Sequence, residues 1–212
     1  MPKEVVMALQ LQTDGSHLIL ASTSSARRAL LQAAGLAFDV IPARIDEGAI
    51  KSAARAEGAS PEDVAILLAE LKAARVALQR PEALVIGADQ ILVCDDKWFD
   101  KPTTLSAARA QLEQLRARAH TLVTAVVCQR RESRLWHHVA SPRLTMREFS
   151  DDFLDAYLAI EGAAITSSVG GYRLEGPGIH LFDRIEGEHS AILGLPLLPL
   201  LAFLRQHRAL LG

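Results

Sequence analysis

The stretch Val85 to Val93, VIGADQILV, sets the hardest condition on how this chain can fold. It reads as an apolar β-strand with a carboxylate, Asp89, and an amide, Gln90, in its middle. Side chains alternate between the two faces of a strand, so Asp89 and Gln90 point to opposite sides. Both can be ordinary solvent-facing residues only on a sheet with two wet faces. A carboxylate in an otherwise buried strand is costly unless it has a partner or a chemical task. An Asp at a strand end, or one paired with an arginine, is the plainer reading. A catalytic carboxylate is the sharper one.

A second stretch, Leu18 to Arg28, is an apolar strand that runs into Ser22, Thr23, Ser24 and Ser25, then Ala26, Arg27 and Arg28. Strand, hydroxyl-rich turn and helix start make a ready anion site. Free backbone N–H groups, the positive end of the helix dipole and guanidinium groups meet there. The GxxxxGK[ST] spacing of a Walker-type phosphate loop is absent. The bland alternative is a capped helix with two solvated arginines.

The remaining elements follow from local signals. A helix is expected over 26–34, stopped by Gly35. A short strand then leads to a loop with Asp46 and Glu47, and the polar, Ala-rich segment 51–58 reads as mobile. Ser60-Pro61-Glu62-Asp63 starts a helix to about 79 whose buried stripe is Val64, Leu67, Leu68, Leu71 and Ala74, with Lys72 beside it. Further expectations are a strand over 83–94, a helix over 105–117, a strand over 120–129, and one or two strands over 135–149 bent at Pro142. Ser150 caps a helix to about 160; a Gly-rich loop spans 166–178; a strand over 179–185 and an apolar helix to about 207 close the chain. Strands and helices alternate, so the class is α/β with a mixed sheet.

Charge and composition narrow the partners. A net charge of -2 over 212 residues gives no basic field for a nucleic acid, and 5% aromatics give few stacking platforms. A small phosphorylated ligand needs only a local basic pocket. Lys72 and Lys101 could supply it, with Glu47 as a carboxylate for a divalent cation, although each alone reads as a solvated charge. Cys94 and Cys128 read as buried reduced thiols, and His120, His180 and His189 lack metal-ligand spacing. No apolar run reaches membrane-spanning length. Residues 1–16 read as an extension rather than a signal peptide, so a cytoplasmic protein without a membrane partner is expected.

Together LILASTSSARRALLQAAGL, Asp46-Glu47, Lys72, GADQ, Lys101-Pro102, HTLVTAVV, GGYRLEGPG and the final GLP resemble the Maf family of nucleoside triphosphate pyrophosphatases, in order from Leu18 to about Leu204. The resemblance implies a single domain over 17–212. That domain is an elongated, bent mixed β-sheet with flanking helices and a central cleft between two lobes, related to inosine triphosphatases. It implies hydrolysis of a nucleoside triphosphate to the monophosphate and pyrophosphate, with Mg2+ or Mn2+. Asp89 would be the catalytic base; Ser22, Arg27, Arg28, Lys72 and Lys101 would bind substrate; Glu47 and Asp89 would hold the metal. A homodimer is the family-level expectation. A nucleotide-binding regulator of septum formation without significant turnover is the alternative of another class.

Within the family, three positions separate a dTTP/UTP subgroup from a 7-methyl-GTP subgroup. Gln90 and Glu175 match the second. A carboxylate suits a guanine edge, whose N1–H and N2–H₂ are donors, and a cationic methylated ring. Ala26 departs from that subgroup, which tends to carry a tryptophan there that could stack on the base. The expected substrate is 7-methyl-GTP, with dTTP/UTP or broad specificity as the alternative.

Overall fold

The computed structural model describes residues 11–212 except 14. The extension expected over 1–16 therefore falls mostly outside the described residues. Its described end runs against the C-terminus: the Thr13 N–H donates to the Ala209 carbonyl at 3.1 Å, and Gln12 forms an antiparallel bridge to Leu210. No helix among the described residues is long and apolar enough to cross a membrane.

The architecture is α/β around an eight-stranded mixed sheet. Its strands are β1 (Leu18–Leu20), β2 (Asp39–Val40), β3 (Leu84–Cys94), β4 (Lys97–Phe99), β5 (Ala119–Arg130), β6 (Ser133–Ala140), β7 (Arg143–Met146) and β8 (Phe182–Glu186). The order is β2-β1-β3-β5-β7-β8, with β4 added to β3 and β6 to β5. β1 runs parallel to β2 and β3, and the other pairs are antiparallel. Among the described residues, seven α-helices flank it: α1 (Ser25–Ala33), α2 (Glu47–Ala56), α3 (Pro61–Ala77), α4 (Leu105–Leu115), α5 (Asp151–Glu161), α6 (His189–Ile192) and α7 (Leu197–Gln206).

The pairing of β3 decides where the site lies. On one edge it pairs with β5 from Val85 to Val93. On the other edge β1 covers Leu84–Ile86 and β4 covers Leu92–Cys94. Gly87 to Ile91, with Asp89 and Gln90, lie in the gap between them. The alternation expected from the sequence holds. Val85 and Ile91, on the side of Asp89, pack into a core with α3. On the side of Gln90 the apolar core divides in two. Leu84, Ile86 and Ala88 pack with α1 and α7, while Leu92 and Cys94 pack with α4 and α5. Gln90 stands at the division.

Two expectations about helices need correction. The buried face of α3 is Val64, Ala65, Leu68, Ala69, Lys72, Ala73, Val76 and Ala77, whereas Leu67 is 40% exposed. The leucines suggested a different phase because they are the larger apolar residues. The sheet is met instead through alanines. A Cβ at Gly87 would lie 2.1 Å from the Ala69 carbonyl oxygen and 2.9 Å from the Ala73 Cβ, so α3 rests directly on the β3 backbone. Lys72 thereby sits inside the buried face and not beside it. Likewise, Glu47 is not on a loop but opens α2, which continues through Ala56: Asp46 Oδ1 accepts from the Ala49 N–H at 3.0 Å and caps it. No residue of α2 is buried, so no apolar period marked it. A smaller departure comes at 177–181, a 3₁₀ turn that delays the last strand to Phe182.

His120 fixes a pH dependence of stability. It is 2% exposed; its Nε2 meets the Tyr172 hydroxyl at 2.8 Å, and its Nδ1 is buried without a partner among the described residues. Burial lowers its pKa from 6.5 to about 4. The unfolded chain then takes up this proton at a higher pH than the native state does. Stability from this group is complete above pH 6.5 and is lost as pH falls towards 4. The loss should be about 3 kcal/mol by linkage. Urea unfolding from pH 7.5 to 4 should show a shallower decline for His120→Gln than for the native chain; equal declines would refute this.

Candidate active site

A cleft of about 560 Å³ opens at the uncovered stretch of β3. The turn into α1, the start of α2, the buried face of α3, the segment before α4, the loop at 166–175 and Gly194 line it. Four basic side chains face it, Arg27, Lys51, Lys72 and Lys101, and four acidic ones, Glu47, Asp89, Asp100 and Glu175.

Asp89 and Lys72 form its floor. The Lys72 Nζ lies 2.5 Å from Asp89 Oδ1 and 2.9 Å from Glu47 Oε1. Both members of the first pair are buried, at 7% for Lys72 and 3% for Asp89. Asp89 Oδ2 is buried with no hydrogen-bond partner among the described residues. A buried carboxylate oxygen without a donor is costly and waits for a water proton or a cation. At Glu47, burial works to raise the carboxyl pKa. The charge and hydrogen bond of Lys72, with the charges of Lys51 and Lys101, outweigh it and hold that carboxyl below its ordinary value. Lys101 is pushed below its ordinary value first by burial and then by the charge of Arg27.

Arg27 is committed to the protein. Its Nε donates to the Gly194 carbonyl at 2.7 Å, and its Nη1 to the Ala88 carbonyl at 2.8 Å and to Ser22 Oγ at 3.3 Å. The Ile86 carbonyl accepts from the Ala21 N–H at the end of β1, so Ala88, two residues on, presents its carbonyl along the same edge. Arg27 thus closes the edge of the sheet where β1 has left it. Burial lowers its pKa, against the charges of Asp89 and Glu47. Ser24 caps α1 by accepting from the Arg27 N–H at 3.3 Å. Ser22 and Ala26 also line the cleft.

Arg28 stands apart from these residues. It is exposed and is not among the residues that line the cleft. A helix turns about 100° per residue, so Arg27 and Arg28 do not face the same way.

At the other end, Gln90 Nε2 donates to Thr124 Oγ1 at 2.8 Å and to the Ala191 and Ile192 carbonyls at 3.0 and 3.1 Å. These three acceptors share the two N–H bonds of the amide and fix it, so Oε1 is its remaining hydrogen-bonding atom. Glu175 is exposed on a turn held by the Arg173–Glu161 pair, with Arg173 Nε 2.6 Å from Glu161 Oε2. Gly178 permits that turn, since a Cβ there would lie 2.4 Å from the Arg173 carbonyl oxygen.

The fold brings Ser22, Ala26, Arg27, Glu47, Lys72, Asp89, Gln90, Lys101 and Glu175 to one cleft. Lys51 and Asp100 were missed by sequence reasoning. The signal for Lys51 was its spacing of four from Glu47, which becomes a shared face only once α2 is known to be a helix. Cys94 and Cys128 are free and buried, as expected. His180 and His189 are exposed.

A family model described as "Maf-like protein" matches residues 17–207. A nucleoside triphosphate pyrophosphatase of Granulibacter bethesdensis is 60% identical over 91% of this chain and 98% of its own length. A 7-methyl-GTP pyrophosphatase of Rhizobium meliloti is 49% identical over 89% of this chain and 95% of its own. A solved nucleoside-triphosphatase / dITP/XTP pyrophosphatase from Mycobacterium abscessus aligns over 91% of this chain and 94% of its own, at 14% identity and a TM-score of 0.43.

Proposed function

The chain belongs to the Maf-like family, and from that premise we propose that it hydrolyses 7-methyl-GTP to the monophosphate and pyrophosphate with a divalent cation. It is a nucleoside triphosphate pyrophosphatase, a hydrolase of phosphoric anhydrides. The observation that carries the site assignment is Asp89 Oδ2, buried and without a hydrogen-bond partner among the described residues, on a carboxylate whose Oδ1 is paired with Lys72.

Carboxylate oxygens are the hard donors that Mg2+ or Mn2+ takes, and such a cation is often held by one or two carboxylates together with substrate phosphates. Asp89 and Glu47 fit that donor set, and no cluster of three acidic, His or Cys side chains exists among the described residues. A cation held by these carboxylates would supply neutralisation of charge on the phosphate oxygens. Asp89 accepts the proton of the water that attacks the α-phosphorus. Lys72 fixes the orientation of that carboxylate. Ser22, Arg27, Lys101 and the start of α1 gather the phosphates. Pyrophosphate leaves as an anion, so no covalent nucleophile is needed.

Base preference rests on Gln90 and Glu175. The fixed Oε1 of Gln90 and the Glu175 carboxylate are both acceptors, which suit the donor edge of guanine. Relatives named for 7-methyl-GTP, at 49% and 46% identity, lean the same way. Ala26 supplies no aromatic face, so the preference depends on these acceptors. Pyrophosphate release from a panel of triphosphates with Mg2+ or Mn2+ tests this. 7-Methyl-GTP should exceed UTP and dTTP by at least about tenfold in kcat/KM, and Glu175→Gln should erase most of that margin, as expected for a charged hydrogen bond. Equal rates for UTP would refute the base preference; turnover of no triphosphate would favour a nucleotide-binding regulator.

A further inference from the structure

We propose that Lys51 is a phosphate-binding residue, and that Asp100 is the anion with which the pyrophosphate portion of the nucleotide competes for it. This rests on the reading of the cleft as a triphosphate site. The reason begins with which cations are free to exchange partners. Arg27 is held in place by Gly194, Ala88 and Ser22 through Nε and Nη1, which leaves only its Nη2 for a phosphate, and Lys72 is paired with Asp89 and Glu47. A triphosphate carries several charges that still need donors. Lys101 has no ion pair among the described residues, and Lys51 has one partner, Asp100, at 3.0 Å.

The Lys51 pair is lopsided. Its side chain is 15% exposed, whereas that of Asp100 is 77% exposed. A surface lysine normally keeps its head in water. Lys51 instead lies along the cleft wall, one helical turn after Glu47, close enough for its charge to act on that carboxylate. An ion pair to an exposed carboxylate is weak and easily exchanged. Phosphate oxygens, with more charge and more acceptors, displace Asp100, which swings to solvent. Lys51 and Lys101 lie with α2 and the segment before α4, on the side of Asp89, so they meet the departing phosphates rather than the base.

The test is calorimetric titration of inorganic pyrophosphate with Mg2+ into the full chain. Lys51→Met should weaken binding about tenfold, the loss of one charge-assisted hydrogen bond. Lys51→Arg should restore most of it. Asp100→Asn should tighten binding severalfold, and that gain should vanish in the Lys51→Met background. Unchanged affinity in Lys51→Met, weaker binding in Asp100→Asn, or a gain that survives without Lys51 would overturn the proposal. The panel of triphosphates separates the two readings. Hydrolysis with no effect of Lys51→Met on pyrophosphate sinks Lys51 alone. A response to Lys51→Met without hydrolysis of any triphosphate sinks the activity and keeps the anion site.

Discussion

Asp89→Asn is expected to lower turnover by roughly 10²–10⁴-fold while nucleotide still binds. The substitution keeps size and shape. Its amide oxygen can still accept from Lys72 where Oδ1 now does, at 2.5 Å. What changes is the other atom. Oδ2, buried and unpartnered, becomes an NH₂ that donates and can no longer take a water proton. The substituted site also loses one carboxylate for the cation, so metal affinity should fall as well. The two effects separate by measuring single-turnover pyrophosphate release at saturating Mn2+ and nucleotide affinity by calorimetry. A rate within tenfold of the native chain at saturating metal would remove Asp89 from the role of base.

The parts of this fold that were legible in the sequence are those fixed by neighbouring residues. Ser24, Ser60 and Ser150 each accept from the N–H three residues on, so the starts of α1, α3 and α5 could be read from the caps alone. The period of two in β3 separated Asp89 from Gln90, and their opposite surroundings follow from it. Helical phase was less visible. α3 meets the sheet through alanines because Gly87 lets the backbones approach, and the value of a missing Cβ on one element appears only beside the other. The same limit applies to Arg28, exposed beside the buried Arg27, and to Lys51, on a helix with no buried residue. Contacts between distant segments were beyond reach. The Arg27 bond to Gly194 joins residues 167 apart, and nothing local to either announces it. The site was legible as a set of residue types, and the fold decided which of them converge.

Lys72→Met tests what holds the floor of the cleft together. Methionine matches the lysine stem and keeps its packing against the sheet. It removes the ammonium that compensates Asp89, a carboxylate that is 3% exposed. Taking one partner from a buried ion pair leaves an uncompensated charge and costs about 3–5 kcal/mol. Glu47 also loses its bond to Lys72, but its side chain is 46% exposed and can turn to water. Most of the loss should therefore come from Asp89, and removing that charge should return it. Lys72→Met with Asp89→Asn is expected to regain most of the stability of the native chain in urea unfolding, while remaining inactive. Such a coupling is what residues in contact give, whereas independent sites add. If the double variant is as unstable as the sum of the two single changes, the loss in Lys72→Met does not come from the Asp89 charge, and the pair with Asp89 contributes little. If instead stability returns without activity, the ion pair is retained at the floor of the cleft for the orientation of Asp89, at a cost that an apolar pair would not carry.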